Sequence, residues 1–304
     1  MLYQSLKLFI QLAFFFFYKK IHVKNKELLQ TKGPLLLTVN HPNALLDALI
    51  IGLLFNQPIH FLTRGDAFNK NWKRKLLSRL NMIPIYRLRD GIEHLHLNEY
   101  AFTKSKKILQ NNGIVLIFIE GICKHTHELQ PFKKGAARIA FSCWNSNIPL
   151  QVMPVTIRYH SLFEYSKQID VQLHEALTKE QLSKPTDEAK NYLYFNEVLF
   201  GKLTHQLNTS VLTTSNKTGL LQTVKIFGKL LHYPIYFSIQ KWISKKTNGT
   251  VFYDSILFVT LMLVYPFYLM LLGLVFYSCN VSLAIIFTLI VAHIILALAA
   301  IKIP

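Results

Sequence analysis

The sequence predicts an α/β fold: a largely parallel sheet flanked by helices, with an N-terminal membrane-associated helix and a C-terminal transmembrane helical hairpin. Two observations support this prediction. Through the middle of the chain, apolar runs of strand length alternate with helical patterns, which is typical of a parallel sheet covered on its faces. Near the C-terminus, residues 255–301 contain no Asp, Glu, Lys or Arg, and a stretch of about 47 residues is long enough for two bilayer crossings.

Residues 1–30 are predicted to form the membrane-associated helix and its basic flank. The apolar segment 6–18 is too short for a comfortable crossing, and lysines follow it at positions 19, 20, 24 and 26. A signal peptide would place its positive charge before the apolar core and a small-residue cleavage site after it. We therefore expect a helix that lies in, or dips into, the cytoplasmic leaflet.

Residues 31–215 are predicted to form the α/β domain. Six apolar runs have the length of strands: 34–39, 58–63, 82–86, 114–119, 150–157 and 169–174. Five segments have helical patterns: 44–55, 70–80, 93–110, 135–144 and 188–207. The region lacks the glycine-rich loops of nucleotide-binding proteins, the nucleophile elbow of serine hydrolases and the zinc-protease motif, so these common classes are not favoured.

Residues 216–250 are predicted to be an amphipathic connecting segment, and residues 251–304 the transmembrane hairpin. The polar stretch 278–282 is the expected turn between the two crossings. Lys245, Lys246 and Lys302 lie outside the hairpin, and the turn carries no charge. By the positive-inside rule both ends, and the domain before them, should be on the cytoplasmic face.

The composition favours a membrane partner over nucleic acid. The 304 residues are 51% hydrophobic, with a mean hydropathy of +0.26 and a formal net charge of +18. High apolarity combined with positive charge is suited to an anionic bilayer surface, and no zinc-finger, RRM or basic-zipper pattern is present. The three cysteines form no metal-binding pair, and the two H-x-H pairs, at 94/96 and 125/127, are interpreted as solvated histidines. No metal and no cofactor is predicted.

The most informative motif is His41 followed by Asp47, directly after the first predicted strand of the domain. Pro42 suits the first turn of a helix, and Asn40 or Asn43 is a candidate cap for its free N–H groups. Because helical side chains lean toward the N-terminus, the carboxylate of Asp47 can point back at the imidazole. A carboxylate beside a histidine fixes its tautomer and raises its basicity, as a general base requires. Capping alone is the simpler alternative.

Further polar residues follow other predicted strands. Arg87 is suited to bidentate binding of a phosphate. Glu120 and Gly121 end the strongest strand with an acid and a flexible residue. Lys133 and Lys134 precede a predicted helix whose first N–H groups would add to their attraction for an anion. These five residues are the candidate substrate-binding set.

In order along the chain, these blocks resemble the conserved blocks of the phospholipid/glycerol acyltransferase family. The matching residues are 40–47, 83–87, 118–121, 132–136 and 152–155, and the resemblance covers about residues 25–215. The sequence departs from the family pattern in three places. Five residues rather than four separate His41 from Asp47, Ile119 replaces a proline, and residues 122–124 replace a Thr-Arg pair.

The resemblance implies a membrane-bound O-acyltransferase in which His41 is the general base and Asp47 orients it. Arg87, Glu120 and Gly121 would bind the glycerol phosphate of the acceptor. The expected reaction moves a fatty acyl group from acyl-CoA or acyl carrier protein to 1-acyl-sn-glycerol-3-phosphate, giving phosphatidic acid. Glycerol-3-phosphate or a lyso-aminolipid is the alternative acceptor. A non-catalytic, membrane-anchored lipid-binding protein is the alternative of another class, and a nucleic-acid partner is not expected.

Overall fold

A computed structural model describes residues 2–87, 90–162, 166–185, 187–207 and 219–303. The strands are β1 Lys20–Lys24, β2 Leu35–Val39, β3 Ile59–Arg64, β4 Met82–Ile85, β5 Ile114–Phe118, β6 Gln151–Tyr159 and β7 Gln168–Leu173. The helices are α1 Leu2–Phe17, α2 Ala44–Leu54, α3 Asn71–Arg79, α4 Asn98–Gln110, α5 Gly135–Trp144, α6 Lys179–Leu182, α7 Glu188–Leu207, α8 Gly219–Thr247, α9 Tyr253–Ser278 and α10 Leu283–Lys302. Short 3₁₀ turns lie at Lys26–Gln30, Gly65–Phe68 and Ile92–Leu97.

The seven strands form one sheet in the order β1-β7-β6-β2-β5-β3-β4. The five strands from β6 to β4 are mutually parallel. β7 runs antiparallel to β6, and β1 pairs parallel with β7 at the margin of the sheet. The predicted α/β class with a largely parallel sheet is confirmed.

Helices cover both faces of the sheet, and side chains of a strand alternate between them, as the pleat requires. In β2, Leu35 and Leu37 belong to a core cluster that also includes residues of α1, α2 and α9. Leu36 belongs to the opposite cluster, with residues of α4, α5 and α7. All three leucines are fully buried. A strand apolar on both faces is typical of a central parallel strand.

The six predicted strands are all present, with ends within two residues of those expected. β1 was not predicted, because its alternation of basic residues with Ile21 and Val23 lies inside the basic flank. The helix expected over 93–110 begins as the 3₁₀ turn Ile92–Leu97 and becomes α-helical at Asn98. The expected domain boundary at 215/216 lies outside the described residues.

The N-terminal helix docks by one face only. In α1, Ile10, Phe14 and Phe17 are buried, whereas Leu8 and Leu12 are exposed on the other side. Phe14 and Phe17 each meet the ring of Phe258 in α9 edge to face, with ring centroids about 5 Å apart (4.9 and 5.2 Å). The apolar N-terminal helix and the C-terminal helices therefore share one core with the sheet.

Among the described residues, α9 and α10 are the two helices long and apolar enough to cross a membrane. The turn between them lies at 279–282, where the sequence predicted it. Helix α8, which forms most of the predicted connecting segment, packs closely on α10: a Cβ on Gly228 would lie 2.3 Å from the carbonyl oxygen of Leu296. Glycine at 228 is therefore required by the contact between the two helices.

The strand directions bring the ends of several elements to one edge of the sheet. The parallel strands β2, β3, β4, β5 and β6 all end there. Because β7 is antiparallel to β6, and β1 is parallel to β7, these two strands begin at that edge. In open α/β sheets, ligands bind outside the carboxyl ends of the strands. The candidate site therefore lies at this edge.

Candidate active site

His41 and Asp47 form the centre of the site. The imidazole Nδ1 of His41 lies 2.9 Å from Oδ2 of Asp47. The imidazole is 17% exposed, whereas the carboxylate is completely buried. The ring of His41 also stacks on Phe118 at the end of β5, with centroids 3.7 Å apart and an interplanar angle of 10°. The histidine is thus held by a carboxylate at one nitrogen and by an aromatic face along its plane.

Asp47 accepts two further hydrogen bonds. The backbone N–H of Asn43 donates to Oδ2 at 2.6 Å, and the hydroxyl of Tyr159 donates to Oδ1 at 2.8 Å. Burial and the charge of Asp47 raise the pKa of Tyr159 well above its ordinary value, so this hydroxyl remains a donor. Both carboxylate oxygens therefore have donors, which fixes the orientation of the group that faces His41.

A tight turn before α2 accommodates the five-residue spacing between His41 and Asp47. Ala44, the first residue of α2, has a positive φ of 45°, which is unusual for a residue with a side chain. The backbone N–H of Ala44 donates to Sγ of Cys123 at 3.0 Å. Burial raises the pKa of Cys123 to about 12, so its sulfur is a protonated thiol and not a nucleophile.

The prediction that Asn40 or Asn43 caps α2 is wrong. Asn40 instead binds the neighbouring strand with both side-chain atoms: Nδ2 donates to the carbonyl of Ile157 at 2.9 Å, and Oδ1 accepts from its N–H at 2.7 Å. The side chain of Asn43 donates to Asp254 at 2.7 Å. Helix α2 has no side-chain cap. Both asparagines thus connect the turn around His41 to distant parts of the chain.

Glu120 supports the same turn from the end of β5. Its Oε1 accepts the backbone N–H of His41 at 3.2 Å, and its side chain is buried. Burial raises the pKa of Glu120 to about 7, although the backbone N–H groups of His41 and Gln130 oppose this shift. Gly121 follows with a φ of +65°, and a Cβ there would lie 2.9 Å from Cγ of Lys133. A glycine is needed at this turn.

Arg87 lies at the end of β4, bound to a carboxylate. Its Nε and Nη2 donate to the two oxygens of Asp90 at 2.9 and 2.7 Å. Hydrogen bonds from Arg87 lower the pKa of Asp90 to about 2, so the pair is ionised at neutral pH. Sequence reasoning missed a second arginine, Arg64, which ends β3 and forms an exposed ion pair with Asp66.

Arg64 opposes Ile85 in the parallel pair of β3 and β4, two residues before Arg87. The two guanidinium groups therefore come from adjacent strand ends. Lys133 and Lys134 are both exposed and lie immediately before α5, as the sequence predicted. The backbone N–H of Lys133 donates to the carbonyl of Ile119, which fixes this segment beside Glu120. The candidate substrate-binding residues thus follow the ends of two strands, β4 and β5.

Three further residues, which the sequence did not identify, are joined by hydrogen bonds to the turn around His41 and Asp47. They are Tyr159, Lys167 and Asp254. Lys167 is 4% exposed, precedes β7 and forms a buried ion pair with Asp254 in the first turn of α9. One signal was available for Asp254, because it is the last charged residue before the uncharged stretch 255–301. No local pattern distinguishes Tyr159 or Lys167, since their partners are far away in sequence.

A cavity of about 950 Å³ lies among the helices, and its walls are formed mainly by α1, α8, α9 and α10. The lining is predominantly apolar and includes Phe16, Tyr236, Leu261 and Ile294, with lysines at 19, 225 and 229. The seven residues predicted as the site do not line it. The cavity is therefore formed mainly by the helical region, and it is separate from the predicted site residues.

A family model described as Acyltransferase matches residues 20–158. Among solved structures, the crystal structure of the 1-acyl-sn-glycerophosphate (LPA) acyltransferase, PlsC, from Thermotoga maritima is similar to this chain. The two are 16% identical, the match covers 69% of this chain and 81% of that chain, and the TM-score is 0.49. No curated protein matches. The family match contains His41, Asp47, Arg87 and Glu120, and it ends before Lys167 and Asp254.

Proposed function

We propose, from the match of an acyltransferase family model to residues 20–158, that the chain moves a fatty acyl group from an acyl thioester to a hydroxyl of a glycerol-phosphate lipid. The proposed acceptor is 1-acyl-sn-glycerol-3-phosphate, and the product is phosphatidic acid. The observation that carries the proposal is the 2.9 Å contact between the partly exposed imidazole of His41 and the buried carboxylate of Asp47.

The proposed mechanism uses His41 as the general base. A lipid hydroxyl is a poor nucleophile at neutral pH, and Nε2 of His41 accepts its proton as the oxygen attacks the thioester carbonyl. Asp47 keeps the other nitrogen, Nδ1, protonated and stabilises the imidazolium that forms. When the tetrahedral intermediate collapses, the carbon–sulfur bond breaks and the imidazolium returns a proton to the leaving thiolate. An ester and a free thiol are the products.

No enzyme-bound acyl group is needed in this mechanism. The cysteine nearest the dyad, Cys123, holds its proton because burial raises its pKa to about 12. Its sulfur also accepts the N–H of Ala44, which orients it toward the backbone of the turn. Transfer directly from thioester to acceptor is therefore the simpler route at this site.

Arg87 and Arg64 are the proposed phosphate ligands. They follow adjacent strand ends, and a guanidinium group binds a phosphate with two parallel hydrogen bonds. Lys133 and Lys134, immediately before α5, add positive charge beside the segment that carries Glu120. A phosphate held at this edge would place the acceptor hydroxyl beside His41, and such positioning is a large part of catalysis in a two-substrate reaction.

The proposed location is a membrane, with the catalytic domain on the cytoplasmic face. Helices α9 and α10 are each long enough to cross a bilayer. Lysines lie at both outer ends of this hairpin, and the turn 279–282 has no charge, which by the positive-inside rule favours cytoplasmic ends. The thioester, on acyl-CoA or acyl carrier protein, would then arrive from the aqueous side and the acceptor from the leaflet.

A lyso-aminolipid acceptor is the second candidate, because both proposed phosphate ligands already have a carboxylate partner. Arg87 is bound to Asp90 and Arg64 to Asp66. The two carboxylates could attract an ammonium group on an acceptor. The phosphate-bearing acceptor remains the first proposal, since the four cationic side chains of the candidate site outnumber these two acids.

An acceptor panel tests the proposal. The purified full-length protein is incubated in detergent with radiolabelled palmitoyl-CoA or palmitoyl-acyl carrier protein and one acceptor: lysophosphatidate, glycerol-3-phosphate or a lyso-aminolipid. We expect labelled phosphatidic acid to form fastest. His41→Ala should lower turnover about 10²–10⁴-fold, as expected for loss of a general base.

His22→Ala is the matched control, because His22 lies in β1 at the margin of the sheet. It should retain the wild-type rate. If the wild-type protein gives no product with any of these donors and acceptors but binds lipid vesicles, the chain is a membrane-anchored lipid-binding protein instead. An active His41→Ala variant would refute the general-base assignment.

A further inference from the structure

Asp254 connects the hairpin to the site. It lies in the first turn of α9, is only 4% exposed, and accepts hydrogen bonds at one oxygen from two groups. The side-chain Nδ2 of Asn43 donates to Oδ2 of Asp254 at 2.7 Å. The ammonium group of Lys167 donates to the same oxygen. The carboxylate at the beginning of the hairpin is therefore bound to the turn that carries His41.

A single residue, Asn43, connects the carboxylate of Asp254 to the pair formed by His41 and Asp47. Asn43 uses its side chain to bind Asp254 and its backbone N–H to bind Oδ2 of Asp47 at 2.6 Å. The same oxygen of Asp47 faces Nδ1 of His41. A shift of Asn43 would therefore change the position of a donor to the carboxylate that orients the imidazole.

Lys167 lies close to the second donor to Asp47. Its Nζ is 6.0 Å from the centre of the Tyr159 ring, and it also donates to the carbonyl of Leu162. The hydroxyl of Tyr159 donates to Oδ1 of Asp47. The buried ion pair thus lies next to both groups, Asn43 and Tyr159, that hold the carboxylate of Asp47 in place.

The start of α9 is firmly seated against the domain. Leu257 and Phe258, one turn after Asp254, are each 1% exposed and belong to the core cluster shared with α1 and α2. An apolar contact of this kind already joins the hairpin to the domain, and a buried ion pair adds little net stability compared with apolar residues of the same size. The ion pair and its bond to Asn43 therefore call for a role beyond anchoring.

We propose that Asp254 is a positioning residue, through which the transmembrane hairpin fixes the turn at Asn43 and thereby the contact between His41 and Asp47; Lys167 neutralises its buried charge. This inference rests on the proposed function. It extends the functional centre beyond residues 20–158 to Asp254, which lies outside the family match. The hairpin is then part of the catalytic apparatus as well as a membrane anchor.

Two double variants separate this role from a structural one. Asp254→Asn with Lys167→Met removes both charges but keeps an oxygen that accepts from Asn43. Asp254→Leu with Lys167→Met removes the charges and that acceptor. A buried charge left without its partner is the usual cause of misfolding at such a pair. Neither variant contains one. The comparison therefore isolates the hydrogen bond to Asn43.

Each full-length variant is reconstituted in lipid nanodiscs, and kcat and KM are measured with palmitoyl-CoA and lysophosphatidate. We expect the Asn/Met variant to keep kcat within about 3-fold of wild type. The Leu/Met variant should lose kcat at least about 10-fold, with KM changed less than about 3-fold, since substrate contacts are intact. Asp170→Asn is the control, because Asp170 pairs with His160 outside the network.

A second measurement does not depend on activity. The rate of His41 modification by diethyl pyrocarbonate at fixed pH, followed by mass spectrometry, reports how firmly this imidazole is held. A loosened contact with Asp47 should make modification faster in the Leu/Met variant than in the Asn/Met variant. Equal kcat and equal rates of His41 modification in the two double variants would overturn the positioning role. A wild-type protein without transferase activity would instead refute the proposed function, and the modification experiment would still decide the positioning role.

Discussion

The hydroxyl of Tyr159 donates a 2.8 Å hydrogen bond to Oδ1 of Asp47, and both side chains are completely inaccessible to solvent. Tyr159 is the last residue of β6, and Asp47 lies in the first turn of α2. Strand and helix are neighbours because β6 pairs with β2, whose end leads into the turn before α2. The sheet therefore supplies a donor that holds the carboxylate in the orientation facing His41.

Replacing Tyr159 with Phe should weaken both stability and turnover. The variant leaves one oxygen of a buried carboxylate without this donor, which costs about 1–3 kcal/mol. A carboxylate that has lost this donor is held less firmly in the orientation facing His41, so kcat should fall as well. Tyr100→Phe, at an exposed site, is the control. An unchanged unfolding curve and an unchanged kcat for Tyr159→Phe would contradict this interpretation.

Replacing Arg87 with Ala should impair phosphate-bearing acceptors selectively. A charge-assisted hydrogen bond contributes about 1.5–3 kcal/mol, so kcat/KM for lysophosphatidate should fall about 10- to 100-fold. The kcat/KM for monoacylglycerol, an acceptor that lacks a phosphate, should change little. Adding Arg64→Ala should lower the lysophosphatidate value further. Arg74→Ala, an exposed arginine of α3, serves as the control. An equal loss for both acceptors would count against a phosphate site.

Replacing Glu120 with Gln should remove a pH-dependent loss of stability. Burial raises the pKa of this carboxyl to about 7, whereas the unfolded chain releases the proton near pH 4.5. The stabilising effect of the protonated form is complete below about pH 4.5 and is lost as the pH rises to about 7. Gln keeps an oxygen for the N–H of His41 and cannot ionise.

Relative to wild type, the Glu120→Gln variant should therefore gain up to about 3 kcal/mol in the free energy of unfolding between pH 4.5 and pH 8. Urea unfolding in detergent micelles, followed by circular dichroism at several pH values, measures this difference. Parallel curves for the two proteins across this range would show that Glu120 has an ordinary pKa.

Replacing Ala44 with Gly should be neutral or stabilising, although glycine generally destabilises a helix. Ala44 has a φ of 45°, a left-handed conformation that costs a residue with a Cβ about 1–2 kcal/mol. Relief of this strain offsets the greater chain entropy of glycine. The same change at Ala189, in the first turn of α7, should lower the free energy of unfolding by about 0.5–1 kcal/mol. Equal losses at both positions would argue against strain at Ala44.

Much of the sheet could be predicted because its strands are apolar and regularly spaced. β2 and β5 are buried on both faces, so their sequences are nearly continuous runs of Leu, Ile and Val. β1 was not predicted, because its sequence is not a continuous apolar run. It lies at a margin of the sheet, and its two terminal lysines are exposed. Lysine at the edge of a sheet is common, but in sequence it resembles a basic flank beside a membrane helix.

The contact between His41 and Asp47 was predicted, because both groups lie within one turn and the geometry of a helix start limits where they can point. The role of Asn43 was predicted incorrectly from the same local reasoning. Asparagine before a helix is an ordinary cap, but here Asp254 accepts its side-chain N–H from 211 positions away. Local propensity contained no information about that partner.

Periodicity and charge in the sequence determined the α/β class and the two apolar C-terminal helices, since each depends on residues close together in the chain. The order of the motifs from His41 to Pro154 supplied the resemblance to the acyltransferase family. The partners that surround the central pair became visible only after folding. Tyr159, Lys167 and Asp254 reach it because the antiparallel β7 and the docked start of α9 return to the edge where β2 ends. Hydrogen bonds and buried charges act over a few ångströms of space, and sequence separation does not limit them.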